Sequence, residues 1–319
     1  MPPYMRFLLT QKLPCAALAF TLFTAMFWLP GAAAGVPLLA LLFSLLAVLT
    51  HFATPALFAL IQLGGGSSFV LPVALICAVG VLAISSFNIM LTALFLLLYV
   101  TVPVWAVTTL RQHGGLARSG EQLAITLFLA VICGLALGAN ESSSNLQEYV
   151  VTLMQPLFTS ITAQTHQDTS ALQSMLSLSA PGLVTVGLWS IWWSATLGAR
   201  WVAIRYGFYH DNHSDWFHVR FTPRFALLTL AALLPANLAS GNLQFIAIAL
   251  AILLAGIFAV QGVAVAHLWL REHQMRFMLG VMYFALFFWS ILIIPFIMVG
   301  LLDTWFDFRR STAPDEGEK

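Results

Sequence analysis

The charged residues of this chain are segregated from its apolar ones. Nearly all of the 13 Lys and Arg and 12 Asp and Glu residues fall between long apolar runs and almost none inside them. A hydrocarbon core about 30 Å thick needs roughly 20 apolar residues for each crossing helix. Such runs recur from Pro14 to Arg310. Backbone groups in lipid must find partners within the protein, and no alternating ten-residue pattern points to a barrel. The chain is therefore predicted to be all-α, a polytopic transmembrane helical bundle. Only 8% of residues are charged and 60% are hydrophobic, against about 25% charged in an ordinary soluble domain. A formal net charge of +1 offers no basic field for nucleic acid.

About eight or nine spans are expected, best placed near 14–34, 37–62, 69–86, 88–109, 122–139, 182–204, 225–240, 243–270 and 277–302. The first is read as a retained helix, because no small-residue cleavage site of a signal peptide follows it convincingly. Pro55 interrupts the second, Asn88 with Ser85 and Ser86 separates the third from the fourth, and the seventh is short and carries Pro235. With nine crossings, Arg6, Lys12, Arg111, Arg118, Arg200, Arg205, Arg220, Arg224, Arg271 and Arg276 share one side, the cytoplasm by the positive-inside rule, which also holds the N-terminus. Arg309 and Arg310 then lie outside, against that rule. A re-entrant last span, or a seventh that does not cross, returns them to the cytoplasm. Residues 1–310 read as one membrane domain, with an extracytoplasmic excursion at 140–180 and a disordered tail at 311–319. In the excursion, Leu146, Val150, Leu153, Met154 and Leu157 repeat at helical spacing, as in a helix lying on the membrane or capping the bundle.

No Asp, Glu, Lys or Arg lies near the middle of a predicted span. This disfavours a proton- or ion-coupled pump, which holds its coupling charge on such a residue. Only His51 and His267 offer titratable groups at depth. The intramembrane polar groups Gln62, Asn88, Asn237, Gln261 and His267 suit either interhelical hydrogen bonds of about 1 kcal/mol each or the lining of a cavity for a small polar molecule. Gln261 is the most informative, because Gly262 beside it permits close backbone approach. Gln261, Gly262, His267 and Asn88 are the candidate ligand-binding residues, joined by Trp189 and Trp193. Those two share a helical face with Trp192, which suits bundle packing or stacking on an aromatic ligand.

Other clusters read more plainly. The stretch 209–218 holds three His and two Asp, but its spacing matches no zinc signature, and its aromatic neighbours suit an interfacial belt. Gly64-Gly65-Gly66 reads as a flexible connector rather than a phosphate cradle, with no Lys-Ser/Thr after it and no strand before it. Cys15, Cys77 and Cys133 read as small buried hydrophobes. No nucleophile, base or metal-ligand constellation appears, so neither an enzyme nor a cofactor or metal site is expected.

The chain's most specific stretch runs from Gly300 through Leu301, Leu302, Asp303, Thr304, Trp305, Phe306, Asp307 and Phe308 to Arg309 and Arg310. It reads as an interfacial motif, with Asp303, Trp305, Asp307, Arg309 and Arg310 in the headgroup layer. Asp303 is expected at the membrane–water boundary, bonded to Arg309, Arg310 or a nearby amide, as an exposed pair worth about 0–1 kcal/mol. Together with Gln261-Gly262-Val263-Ala264-Val265-Ala266-His267, this ending resembles the YybS-like family of bacterial multi-pass membrane proteins. That family shows Gln-Gly-x-Ala-x-x-His in its penultimate helix and closes with Gly-Leu-x-Asp-x-Trp-x-Asp-Phe-Arg. The resemblance implies a bacterial inner-membrane protein. Through the family's distant relation to the substrate-binding S-components of energy-coupling-factor transporters, it also implies an S-component-like bundle. No functional residues are established there to carry over.

Two functional expectations follow. The first is a small-molecule binding or transport component without its own energy source, surrounded by lipid and partnered by a coupling subunit. The second is a scaffold or assembly accessory acting on other membrane proteins through the excursion and the ending.

Overall fold

The computed structural model describes residues 10–32, 36–113, 115–165, 170–209 and 216–309. Among these, every regular element is helical: α1 (Lys12–Gly31), α2 (Pro37–Gly65), α3 (Ser67–Ile84), α4 (Ile89–Leu94), a π-helical turn (Phe95–Thr101), α5 (Val102–His113), α6 (Leu116–Glu141), α7 (Leu146–Thr165), α8 (Ser170–Arg205), α9 (Pro223–Leu238), α10 (Gly241–Glu272), α11 (Arg276–Phe288) and α12 (Ile293–Phe306). Short 3-10 turns occupy Trp216–His218 and Ser290–Leu292. Seven spans are long and apolar enough to cross a membrane, α4 to α5 counting as one, and an eighth results if α11 and α12 form one bent crossing. The chain is an all-α, multi-pass integral membrane protein.

The difference from nine full spans has local causes. α9 has 16 residues, about 24 Å of helix, short of the hydrocarbon thickness. The predicted span 277–302 is broken: the helix axis bends by 116° between α11 and α12. Pro295 lies in the first turn of α12, where its missing N–H breaks no bond within that helix, which suits a helix start at this point. The excursion 140–180 is largely helical, as α7 and the first turns of α8.

Contacts divide the chain into two compact units, residues Met1–Gly115 with Ser190–His213, and Leu116–Trp189 with Ser214–Lys319. In the first unit, α1 buries Cys15, Ala16, Ala19 and Phe23 against Phe58 and Ile61 of α2 and Val73, Cys77 and Val81 of α3. The i, i+4, i+8 spacing on α1 and α3 makes one apolar stripe on each. Pro103 cannot donate to the Tyr99 carbonyl, which accounts for the wide π turn. That turn packs Phe95 and Tyr99 onto Phe23. Asn88 is the exposed N-cap of α4, its Oδ1 accepting from Leu91 N at 3.0 Å. Cys133, expected to be buried like Cys15 and Cys77, is exposed on α6 in the second unit.

In the second unit α10 is the central helix, buried on most of its circumference. Small residues let its neighbours approach: Gly182 of α8 lies against Ala249 and Ile252, and Gly256 against Val186. α7 covers one end, where Leu146 and Val150 pack with Ala139 and Phe245. Leu153 and Leu157, on the same predicted stripe, are exposed.

Candidate functional site

The two stretches singled out in the sequence meet in the second unit. α12 runs antiparallel to α10, and their closest approach is glycine on glycine. A Cβ on Gly262 would lie 1.8 Å from the Phe296 carbonyl oxygen, and one on Gly300 would lie 1.9 Å from that of Phe258. Backbone contact this close brings Gln261 onto α12. Its Nε2 donates to Gly300 O at 3.0 Å and to Asp303 Oδ2 at 2.8 Å. Its Oε1 accepts from Phe221 N at 3.0 Å.

Asp303 was expected at the boundary in an exposed pair. Its partner is indeed Arg309, but the side chains are 0% and 6% exposed. The carboxylate accepts from Gln261, from Arg309 Nη2 and, through Oδ1, from Phe308 N at 3.1 Å. The chain turns back to allow this, because Asp307 takes the left-handed C-cap conformation at the end of α12. Asp307 itself pairs with Arg220 at 2.9 Å, both partly exposed. Trp305 is exposed, and Arg310 lies outside the described residues.

What these polar groups enclose is the segment 217–222, which leads from the 3-10 turn to the start of α9. Arg309 donates to the carbonyls of Phe217 and Val219. Arg220 donates to Thr304 O at 2.7 Å. Gln261 takes Phe221 N, and Glu121 of α6 takes Thr222 N. Thr222 then caps α9 through Phe225 N, with Pro223 at the first helical position. Irregular backbone beside a membrane span is tolerated only when its polar groups find protein partners or water. Here Gln261, Glu121, Arg309 and Arg220 supply them. Sequence reasoning missed Glu121 and the segment itself. The Thr222-Pro223 pair was a readable helix start, but Glu121 fell one residue short of a predicted span and passed as a flanking charge.

Of the remaining candidates, Trp189 and His267 border this segment, and Trp193 and Asn88 lie in the first unit. Phe221 packs against Phe258 and beside Trp189, whose indole N–H donates to Gly120 O at 2.9 Å. Trp193 is buried in the first unit, where the neighbouring Trp192 donates to Leu98 O. His267 stacks on Phe217 at 4.1 Å and shares a 2.9 Å hydrogen bond with Tyr283. His51 lies 2.7 Å from the Tyr99 hydroxyl and 2.8 Å from Met26 Sδ in the first unit. Of the His-rich stretch, residues 210–215 lie outside the described residues. Among those described, no group of His, Cys, Asp and Glu is gathered to hold a metal.

Beside the Asp303–Arg309 pair opens a cleft of about 500 Å³. Val265, Ala266, Leu268 and Trp269 of α10, Val299 of α12 and Phe308 give it apolar walls, and Glu272, His273 and Arg309 give it polar ones. Comparison of the chain with protein-family models, curated proteins and solved structures finds no match.

Proposed function

We propose that this membrane protein is a small-molecule binding or transport component without its own energy source, and that the cleft beside Arg309 holds its ligand. The observation that carries the reading is the cleft itself. Its volume of about 500 Å³ and its mix of apolar walls with a few charged groups match the usual character of small-molecule sites. Two features nearby add support. Short or broken apolar helices next to irregular backbone mark binding regions in transporters, and α9, the segment 217–222 and the α11–α12 break have that form. The motifs resembling the YybS-like family converge on the same place. A binder is favoured over an enzyme because Gln261, Asp303, Arg309 and Glu121 already hold backbone or one another. The Lys and Arg distribution supports a cytoplasmic N-terminus, and the family resemblance a bacterial inner membrane.

The test fills the cleft. Ala266→Trp and Val299→Trp should each abolish a ligand that native mass spectrometry finds on the gently extracted wild-type protein, with little change in thermal stability. A wild-type protein that carries no ligand, or filled variants that keep it, would end this reading.

A further inference from the structure

The polar wall of the cleft beside Arg309 carries an unbalanced negative charge. α10 is 32 residues long, about 48 Å of helix, so it overruns a hydrocarbon core of about 30 Å. Arg271 and Glu272, its formally charged residues, mark the overrunning end. Neither Arg271 nor Arg276 lines the cleft. Arg271 turns to another face of α10, where its guanidinium lies 6.0 Å from the Phe217 ring. Arg309 does line the cleft, but its guanidinium is held by the Asp303 carboxylate and by the carbonyls of Phe217 and Val219. Glu272 is exposed, and among the described residues no cation pairs with it. It stands at the negative end of the α10 dipole, where a carboxylate is disfavoured and a cation favoured. Beside it, His273 Nδ1 lies 2.8 Å from Trp269 O. A carbonyl only accepts, so Nδ1 holds the ring proton and Nε2 of the neutral ring presents a lone pair. Trp269 and Phe308, also on the walls, are 52% and 47% exposed, and aromatic faces attract cations.

We infer, resting on the cleft as the ligand site proposed above, that the ligand is an organic cation, an apolar body carrying a protonated amine. The ammonium donates to the Glu272 carboxylate and to His273 Nε2 at the level of the headgroups. The apolar body lies deeper, along Val265, Leu268 and Val299. The helix end and the aromatic walls act in the same sense as the carboxylate. An anion would meet Glu272 while the guanidinium of Arg309 stays committed to its three acceptors. A zwitterionic phospholipid would bring its phosphate towards the same carboxylate, which favours a free amine over a lipid headgroup.

The test uses the full chain in phosphatidylcholine bicelles and probes that share one indole body, small enough for a cleft of about 500 Å³. Tryptamine, tryptophol and indole-3-acetate carry an ammonium, a hydroxyl and a carboxylate on it. Binding is measured by equilibrium dialysis, with Ala266→Trp giving the uptake due to the bicelle alone, or Val299→Trp if that variant does not fold. Tryptamine should bind about tenfold tighter than indole-3-acetate, because the exchange turns one attraction at an exposed carboxylate into a repulsion. Tryptophol should fall between them. Glu272→Gln, a change at an exposed position, should bring the probes to within about twofold of one another. Weaker tryptamine binding in phosphatidylethanolamine bicelles would name the lipid ammonium as the occupant, and unchanged binding a free amine; the cation chemistry holds in both cases. A wild-type protein that binds tryptophol or indole-3-acetate as tightly as tryptamine, or binds no tryptamine, would overturn the inference, as would a preference that survives Glu272→Gln. The cleft reading fails separately, through the native ligand: one that is lost in Ala266→Trp upholds the cleft whatever its charge.

Discussion

At the scale of single residues, two ion pairs a few residues apart should behave differently. Asp303 and Arg309 are almost wholly removed from solvent, whereas Asp307 and Arg220 are 32% and 35% exposed. Removing one partner of a buried pair strands the other and typically costs about 3–5 kcal/mol, while an exposed pair is worth about 0–1 kcal/mol. Asp303→Asn is therefore expected to lower stability severely and Asp307→Asn hardly at all, measured by unfolding of the two variants in the same detergent or bicelle. Equal losses would contradict the burial described. Gln261, Gly262, Asp303 and Arg309 were all legible in the sequence, because a polar residue beside glycine, or a charge pair after a hydrophobic run, stands out locally. What they hold was not legible. The segment 217–222 lies 40 residues from Gln261 and about 90 from Arg309, and pairing at that separation leaves no local trace.

At the scale of elements, the α10–α12 contact depends on two glycines. The added methyl at Gly262 or Gly300 would meet backbone, which cannot rotate aside as a side chain can. Gly262→Ala and Gly300→Ala are each expected to destabilise by about 1–3 kcal/mol, the usual cost of overpacking. Gly187 of α8 has nothing within 4 Å of the same added methyl, so Gly187→Ala should be neutral or slightly stabilising through helix propensity. Thermal unfolding of the three variants side by side tests the contact. The break between α11 and α12 escaped the span count for a different reason. Residues 277–302 carry no charge and only Tyr283 and Ser290 as polar side chains, so hydropathy alone cannot tell a straight crossing from a bent pair, and the useful mark was Pro295. α9 was legible as a short helix because Thr222-Pro223 opens it and Pro235 lies in its last turns.

At the scale of the whole molecule, the count of crossings bears on the side of the tail. Nine full crossings would put Arg309 opposite the stretch 205–224. In the structure Arg309 bonds the carbonyls of Phe217 and Val219, so an even number of crossings separates residues 219 and 309. α9, short enough to cross only where the bilayer thins, pairs with α10 as an out-and-back excursion, and with α11 and α12 as a re-entrant pair this meets that condition and relieves the conflict with the positive-inside rule. Cysteines introduced at His218, Gln274 and Ser311 should then react with an impermeant thiol reagent from the same, cytoplasmic, side, and one at Ser142 from the other. Labelling of His218→Cys and Ser311→Cys from opposite sides would refute the shared side.

The grip of Arg309 on the segment 217–222 also has a consequence in time. The carbonyls of Phe217 and Val219 are synthesised 92 and 90 residues before the guanidinium that binds them. At a translation rate of about 5–20 residues per second, that separation is a wait on the order of 5–20 s. During it, α9 and α10 can be inserted and paired while the irregular backbone between α8 and α9 still lacks its last partners. A chain interrupted between residues 304 and 308 would stay in that condition permanently, with the Phe217 and Val219 carbonyls and the Asp303 carboxylate open to whatever surveys unfinished proteins in the membrane.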